Sequence, residues 1–302
     1  MRSISTLLLL AIVTDGVWAE DKKKDPGQIG NRDVGKGVNF YSLEKEIALG
    51  RQMAQEVQRE AKINDDPILS EYVNRVGQNL VRNSDAKVPF SFKVIEADDL
   101  NAFALPGGYV FVNTGLIVMA EEEDEFAGAV AHEIAHVAAR HMTRQATKSQ
   151  IANIATVPLS VLLGGWAGVA ARQAGGLAIP MTFLSFSRKD ESEADYLGLQ
   201  YMYAAGYDPN GAISIFEKLE ALSRRKPGAV SRLFSTHPMD GDRIRNAEKE
   251  IQEILPGRKE YVVSTSEYHD VRARLLKFAS RRKPEEPDNR PRLIKPLTPH
   301  EN

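Results

Sequence analysis

The stretch from Phe126 to Ala139 limits what this chain can fold into more than any other. It reads Phe-Ala-Gly-Ala-Val-Ala-His-Glu-Ile-Ala-His-Val-Ala-Ala, small or apolar on every face except for two histidines and one glutamate. Such a helix belongs in a core, and that core must satisfy its polar side chains from within. His132 and His136 are four residues apart and project from one face, close enough to hold a single metal ion. Glu133 lies about 100° round the helix from His132, placed to reach water at that ion without binding it. Two imidazoles that hold and one carboxylate that takes a proton are the parts of a zinc hydrolase. A chance match on a solvated helix would lack the apolar flanks.

The search for further ligands is short. There is no cysteine, so thiolate ligands and disulfides are excluded, and the six histidines are His132, His136, His141, His237, His269 and His300. A catalytic zinc takes three protein ligands and keeps one position open. A third histidine from the extended pattern His-Glu-x-x-His-x-x-Gly-x-x-His requires glycine at 139 and histidine at 142, where this chain has Ala139 and Met142. His141 falls about 140° from His136 on a continuous helix and reads as a capping or packing residue. The stronger source is Lys189-Asp-Glu-Ser-Glu-Ala-Asp195. Glu191 and Asp195 share a helix face at i, i+4, so one can bind the metal while the other orients a histidine. Glu193 points elsewhere and ranks second as ligand.

The flanking segments supply a scaffold. Ser42 caps a helix whose apolar positions Ile47, Leu49, Met53, Ala54 and Val57 carry it to about Ala61. A second helix starts near Pro67, with Ile68, Leu69, Tyr72, Val73, Val76 and Leu80 on its stripe. Phe90–Ile95 and Tyr109–Asn113 are strand-like, and Asn101–Gly108 between them reads as a tight turn around Pro106 and two glycines. Together they predict a small antiparallel sheet just before the metal helix. In zinc proteases the edge of such a sheet binds the substrate backbone as an added strand; a plain hairpin is the competing reading. Lys189–Ala205 predicts a helix closed by Gly206, and Asp208-Pro209 opens another through about Arg224. Tyr261–Ser264 and a helix from about Ser266 to Phe278 finish the folded part.

The ends differ in character. Arg2, the apolar run Leu7–Val13 and Val17-Trp18-Ala19 read as a secretory signal, which implies export to a bacterial periplasm. The chain is thus expected to divide into a signal peptide (1–19), a flexible leader (20–40), one domain (41–280) and a disordered proline-rich tail (281–302). A net charge of −2 argues against a nucleic-acid partner. Ser149–Ala171 carries no charged residue. A single membrane crossing there would put the later ligand about 30 Å from the histidines, so the stretch 149–180 reads either as a lid touching a membrane surface or as packed core.

Four motifs occur in order: Asn101-Ala-Phe-Ala-x-Pro-Gly-Gly, His132-Glu-x-x-His136, Glu191-x-x-Ala-Asp195, and Thr236-His237-Pro238 followed by Arg243-Ile244. Over roughly Tyr41–Phe278 this resembles the HtpX, BepA and Oma type of zinc metalloprotease, gluzincins related to the CAAX prenyl endopeptidases. The resemblance implies a zincin-like fold, one zinc per chain on His132, His136 and Glu191, Glu133 as general base, and Asp195 behind a histidine. It also implies that His237 approaches the metal as a reversible fourth ligand and that Arg243 supports the site. His237 and Arg243 are further candidates for stabilising an oxyanion. The departures are the transmembrane helices of the integral relatives and the tetratricopeptide array of the BepA-like ones, so substrate delivery is expected to differ.

The reading is a mainly helical α+β zincin-like domain that acts as a secreted zinc endopeptidase on unfolded or misassembled envelope proteins. The rival is a zinc-stabilised chaperone or assembly factor with little or no proteolysis, for which Glu133 would have no use.

Overall fold

The computed structural model describes residues 25–155, 186–225, 237 and 241–282. Helix α1 (Leu43–Glu60) starts at Ser42, whose side chain accepts from the Lys45 N–H. Helix α2 (Pro67–Arg82) starts at Asp66, with Pro67 in the first turn where its missing N–H costs nothing. Strands β1 (Ser91–Ile95), β2 (Ala102–Leu105) and β3 (Tyr109–Asn113) follow, then a short helix α3 (Thr114–Met119). Helix α4 (Glu123–Ala138) leads through a sharp turn into α5 (His141–Ala155). Helices α6 (Arg188–Ala205), α7 (Asn210–Arg225), α8 (Gly241–Ile254) and α9 (Ser266–Arg282) complete the described residues. The chain is a mainly helical α+β fold.

The sheet is mixed, a correction to the antiparallel pair expected from the sequence. Its order is β1-β3-β2, with β1 parallel to β3 and β2 antiparallel to it. The reason lies in Asn101–Leu105, read as turn but largely strand. The chain passes over the central position, runs along the edge as β2, and turns back through Pro106–Gly108 into the centre as β3. Gly107 lies at φ 74° and its absent Cβ would stand 2.5 Å from Ile47 Cα, so glycine is needed there for both conformation and space. Alternate residues of β3 then face opposite sides. Val110 and Val112 join the main core with α2 and α4, and Phe111 joins Ala54, Ile95 and Leu105 beneath α1.

Helix α4 is the centre of the molecule, packed against α2, α6, α7 and β2. Its close neighbours demand small residues. A Cβ on Gly128 would meet Ala212 Cα at 2.8 Å, and one on Gly198 of α6 would come within 3.3 Å of the His132 nitrogen. Three acids in the first turn, Glu123, Asp124 and Glu125, face the positive end of the helix dipole. Helix α9 docks on the same core through Tyr268, whose ring stacks on Phe126 and tilts against Tyr72 while its hydroxyl donates to the Ala120 carbonyl at 2.8 Å.

The segment from Asp25 to Phe40, expected as a flexible leader, lies on the domain instead. Arg32 is buried, forks onto Asp85 at 2.6 and 3.1 Å and donates to Gln200 Oε1 at 2.5 Å. That buried ion pair binds the segment to the turn after α2 and to α6. The stretch 1–19 expected as a signal, the uncharged run beyond Ala155 and the tail beyond Arg282 fall outside the described residues. Among the described residues no helix is long and apolar enough to cross a membrane.

Candidate active site

Two helices bring the site together. α4 presents His132, Glu133 and His136, and α6 crosses it with Glu191 and Asp195, held close by Gly198. The start of α6 is fixed by a capping box: Ser187 Oγ accepts from the Asp190 N–H and the Asp190 carboxylate accepts from the Ser187 N–H. His237 reaches in ahead of α8, and Arg243 comes from the first turn of α8. All seven of these site residues are buried.

One donor atom each from His132, His136, Glu191 and His237 forms a cluster in which all four lie within 4.8 Å of one another. His132 Nε2 is 3.0 Å from His136 Nε2, 3.3 Å from His237 Nδ1 and 3.4 Å from Glu191 Oε2. Glu191 Oε1 is 3.4 Å from His136 Nε2 and 3.0 Å from His237 Nδ1. A tetrahedron around zinc at about 2.0–2.1 Å from each ligand has edges of about 3.3–3.4 Å. Five separations among the four side chains, taken to one or the other Glu191 oxygen, fall at 3.0–3.4 Å, so the donor set suits a zinc ion in kind and comes close to it in size. Glu191 Oε2 fits too, since it is buried without an aligned hydrogen bond although Arg243 Nη1 stands 3.0 Å away.

The electrostatics favour a cation at the centre. Burial opposes charge on Glu191, yet the three histidines outweigh it and hold the carboxyl far below its usual range. Burial likewise opposes charge on His132, but Asp195 and Glu191 lift it to about 9. His136 moves the other way, since burial keeps its ring neutral well below the ordinary range. Asp195 stands 3.0 Å from His132 Nδ1 and is gripped from behind by Arg243, Nε to Oδ2 at 2.7 Å and Nη2 to Oδ1 at 2.6 Å. Burial raises the Asp195 carboxyl, and Arg243 and His132 together more than reverse that. The Arg243 guanidinium thus stands against both Asp195 and Glu191, as a support for the two carboxylates.

Glu133 sits beside the cluster without joining it. Its Oε2 accepts from the Ala104 N–H of β2 at 2.9 Å, and its Oε1 is 3.4 Å from His237 Nε2. Burial pushes its carboxyl upward. A cavity of about 40 Å³ adjoins His132 and Glu133, walled by Leu116, Ala129, Ile215, Phe216 and Leu219. Another of about 20 Å³ adjoins His136 and Phe186. Ala102 borders the first and Ala104 and Leu105 the second, so the outer edge of β2, which pairs with no further strand among the described residues, runs from one to the other.

The structure brings together His132, His136, Glu191 and His237, with Glu133, Asp195 and Arg243 around them. Glu193, the second choice of ligand, turns away to His141 Nε2 at 3.3 Å and Arg144 Nη1 at 3.4 Å. Sequence reasoning missed three contacts: His141 on His136, Phe186 stacked on His136 with ring centres 3.9 Å apart, and the Ala104 N–H on Glu133.

Comparison with known proteins places this constellation among relatives. The model of "Peptidase family M48" matches residues 67–251. The beta-barrel assembly-enhancing protease of Yersinia pestis is 30% identical over 286 residues, covering 90% of this chain and 57% of that protein. The mitochondrial metalloendopeptidase OMA1 of Schizosaccharomyces pombe is 34% identical, covering 68% of this chain and 59% of that protein. The metalloprotease LoiP of Escherichia coli is 30% identical, covering 66% of this chain and 77% of that protein. The chain spans little more than half the length of the first two.

Proposed function

This chain belongs to peptidase family M48, and on that footing we propose that it is a zinc-dependent endopeptidase acting on misfolded or misassembled proteins of a bacterial envelope. One observation carries the reading. Four buried donor atoms suited to zinc stand next to a buried carboxylate, Glu133, that is not one of them.

A zinc ion held by His132, His136 and Glu191 supplies Lewis acidity that polarises a carbonyl and makes water more acidic. Glu133 handles the proton. Burial raises its affinity for one, which suits taking it from the attacking water and passing it to the leaving amine. The Ala104 N–H would pass from Glu133 to a substrate carbonyl as an extended peptide adds to the edge of β2. That peptide would seat apolar side chains in the two cavities. His237 holds the fourth corner of the cluster and keeps the enzyme latent until it swings out.

The name of the Yersinia pestis relative supports a place in protein assembly, and the amino-terminal sequence supports export to the periplasm. The stretch 149–180, with its uncharged run, would offer an apolar surface to clients or to the membrane that bears them. The test is purified chain incubated with unfolded casein, with chelator and with zinc restored. We expect one zinc per chain and cleavage that follows the metal. Chelator-insensitive cleavage would overturn the reading. Zinc bound without cleavage, in wild type and in His237→Ala alike, would leave a zinc-stabilised assembly factor.

A further inference from the structure

We propose that His141 is a positioning residue for the metal centre, the outer end of a hydrogen-bonded chain that fixes the ring of His136. The proposal rests on the zinc-site reading above and goes beyond it by naming how one ligand is oriented. His136 turns Nε2 toward the cluster, so its other nitrogen, Nδ1, faces away. That nitrogen is 3.0 Å from Nδ1 of His141, a side chain with no exposure at all. A neutral imidazole whose Nε2 lone pair binds a metal carries its proton on Nδ1. His136 Nδ1–H must therefore donate, and His141 Nδ1 must accept.

The accepting ring then carries its own proton on Nε2, which points at Glu193 Oε2 at 3.3 Å, with Asp190 Oδ1 farther off at 3.9 Å. Arg144 Nη1, 3.4 Å from the same Glu193 oxygen, holds the far end of the row in place. Every proton in the row has one place to sit. On the other ligand, Arg243 and Asp195 stand behind His132 in the same order of cation, carboxylate and ring. The two histidines of the central motif are thus each backed, one by a carboxylate and one by a second histidine that a carboxylate orients.

The backbone is bent to allow this. Helix α4 ends at Ala138, and Arg140 takes φ 57°, the one positive φ among the described non-glycine residues. That turn redirects the chain so that His141 returns to His136.

Outer partners of this kind typically contribute roughly 10- to 100-fold in metal affinity. The test compares wild type, His141→Leu and His141→Gln by competition for zinc against a chromophoric chelator. Cobalt-substituted absorption spectra and melting of the metal-free proteins accompany it. His141→Leu should lose about 10- to 100-fold in zinc affinity and alter the cobalt spectrum. His141→Gln, which can accept from His136 and donate to Glu193, should recover most of both. Melting of the metal-free chains separates lost folding from lost positioning. Equal affinity and spectra in wild type and His141→Leu overturn the proposal while leaving the zinc site intact, as does a loss in His141→Leu that His141→Gln shares in full. A wild-type chain that takes up no zinc overturns both readings.

Discussion

Replacing Arg243 by methionine should destabilise the metal-free protein by about 3–5 kcal/mol near neutral pH, and the deficit should fade in acid. The estimate follows from what the guanidinium holds. It forks onto Asp195 at 2.6 and 2.7 Å, touches Glu191 Oε2 at 3.0 Å and lies over the Phe216 ring at 4.9 Å, all in a buried setting. Methionine keeps the apolar stem and loses the charge. Removing one partner of a buried ion pair costs about 3–5 kcal/mol, mostly because the other charge stays buried. The second carboxylate, Glu191, sets the expectation at the upper end. For a domain of this size that is a drop of about 6–20 °C in melting temperature.

The pH dependence gives the sign. In the wild type Arg243, with His132, outweighs burial and holds the Asp195 carboxyl below its ordinary value of about 3.9. That stability is present above this value and lost as pH falls below it. Without Arg243 only His132 is left to oppose burial and the carboxyl rises, so protonation on going from pH 7 toward 4 relieves the variant. Thermal melts of chelated wild type and Arg243→Met at pH 7.5 and 4.5 test this. A deficit equal at both pH values, or under about 2 °C at pH 7.5, refutes charge compensation. Unchanged stability with reduced turnover would return Arg243 to a role at the oxyanion.

Glu133→Gln should keep zinc at one per chain, by elemental analysis, and lower cleavage by about 10²- to 10⁴-fold; a fully active variant would remove Glu133 as the base. Glu191→Gln should strip zinc in equilibrium dialysis, whereas Glu193→Gln, which keeps an acceptor for His141, should bind it nearly as wild type. The reverse pattern would move the third ligand by two residues. His237→Ala should raise cleavage of casein or cause self-cleavage, because it frees the fourth corner. Reduced activity with unchanged zinc content would make His237 a substrate contact instead.

What was legible in the sequence was local. The i, i+4 spacings of His132 with His136 and of Glu191 with Asp195 follow from helix geometry, and Ser42 and Gly206 announce helix ends by their chemistry. What was hidden was set by distant partners. Ala102-Phe-Ala-Leu105 has no β-branched residue and reads poorly as a strand; β3, already in place, makes it one. Arg32 looks like part of a solvated leader because its partner Asp85 is 53 residues away. On an unbroken α4 His141 would face away from His136, and the break at Arg140 brings it back.

The residue that breaks the helix also allows a test of what holds the break. Arg140 sits at φ 57°, where a side chain costs about 1 kcal/mol. Glycine would remove that strain but add about 0.5–1 kcal/mol of backbone entropy, so the two backbone effects nearly cancel. What remains is the side chain. Arg140 donates to the buried Glu46 at 2.8 Å and to the Tyr41 carbonyl at 2.5 Å, tying the turn to the start of α1. Glu46 would keep Thr143 and Asn39, so the loss is that of part of a buried network. Arg140→Gly should therefore destabilise by about 1–3 kcal/mol in urea unfolding, despite relieving the strained φ. A variant as stable as wild type would mean that the ion pair contributes nothing net, and that the return of His141 to His136 is held by the packing of α5 alone.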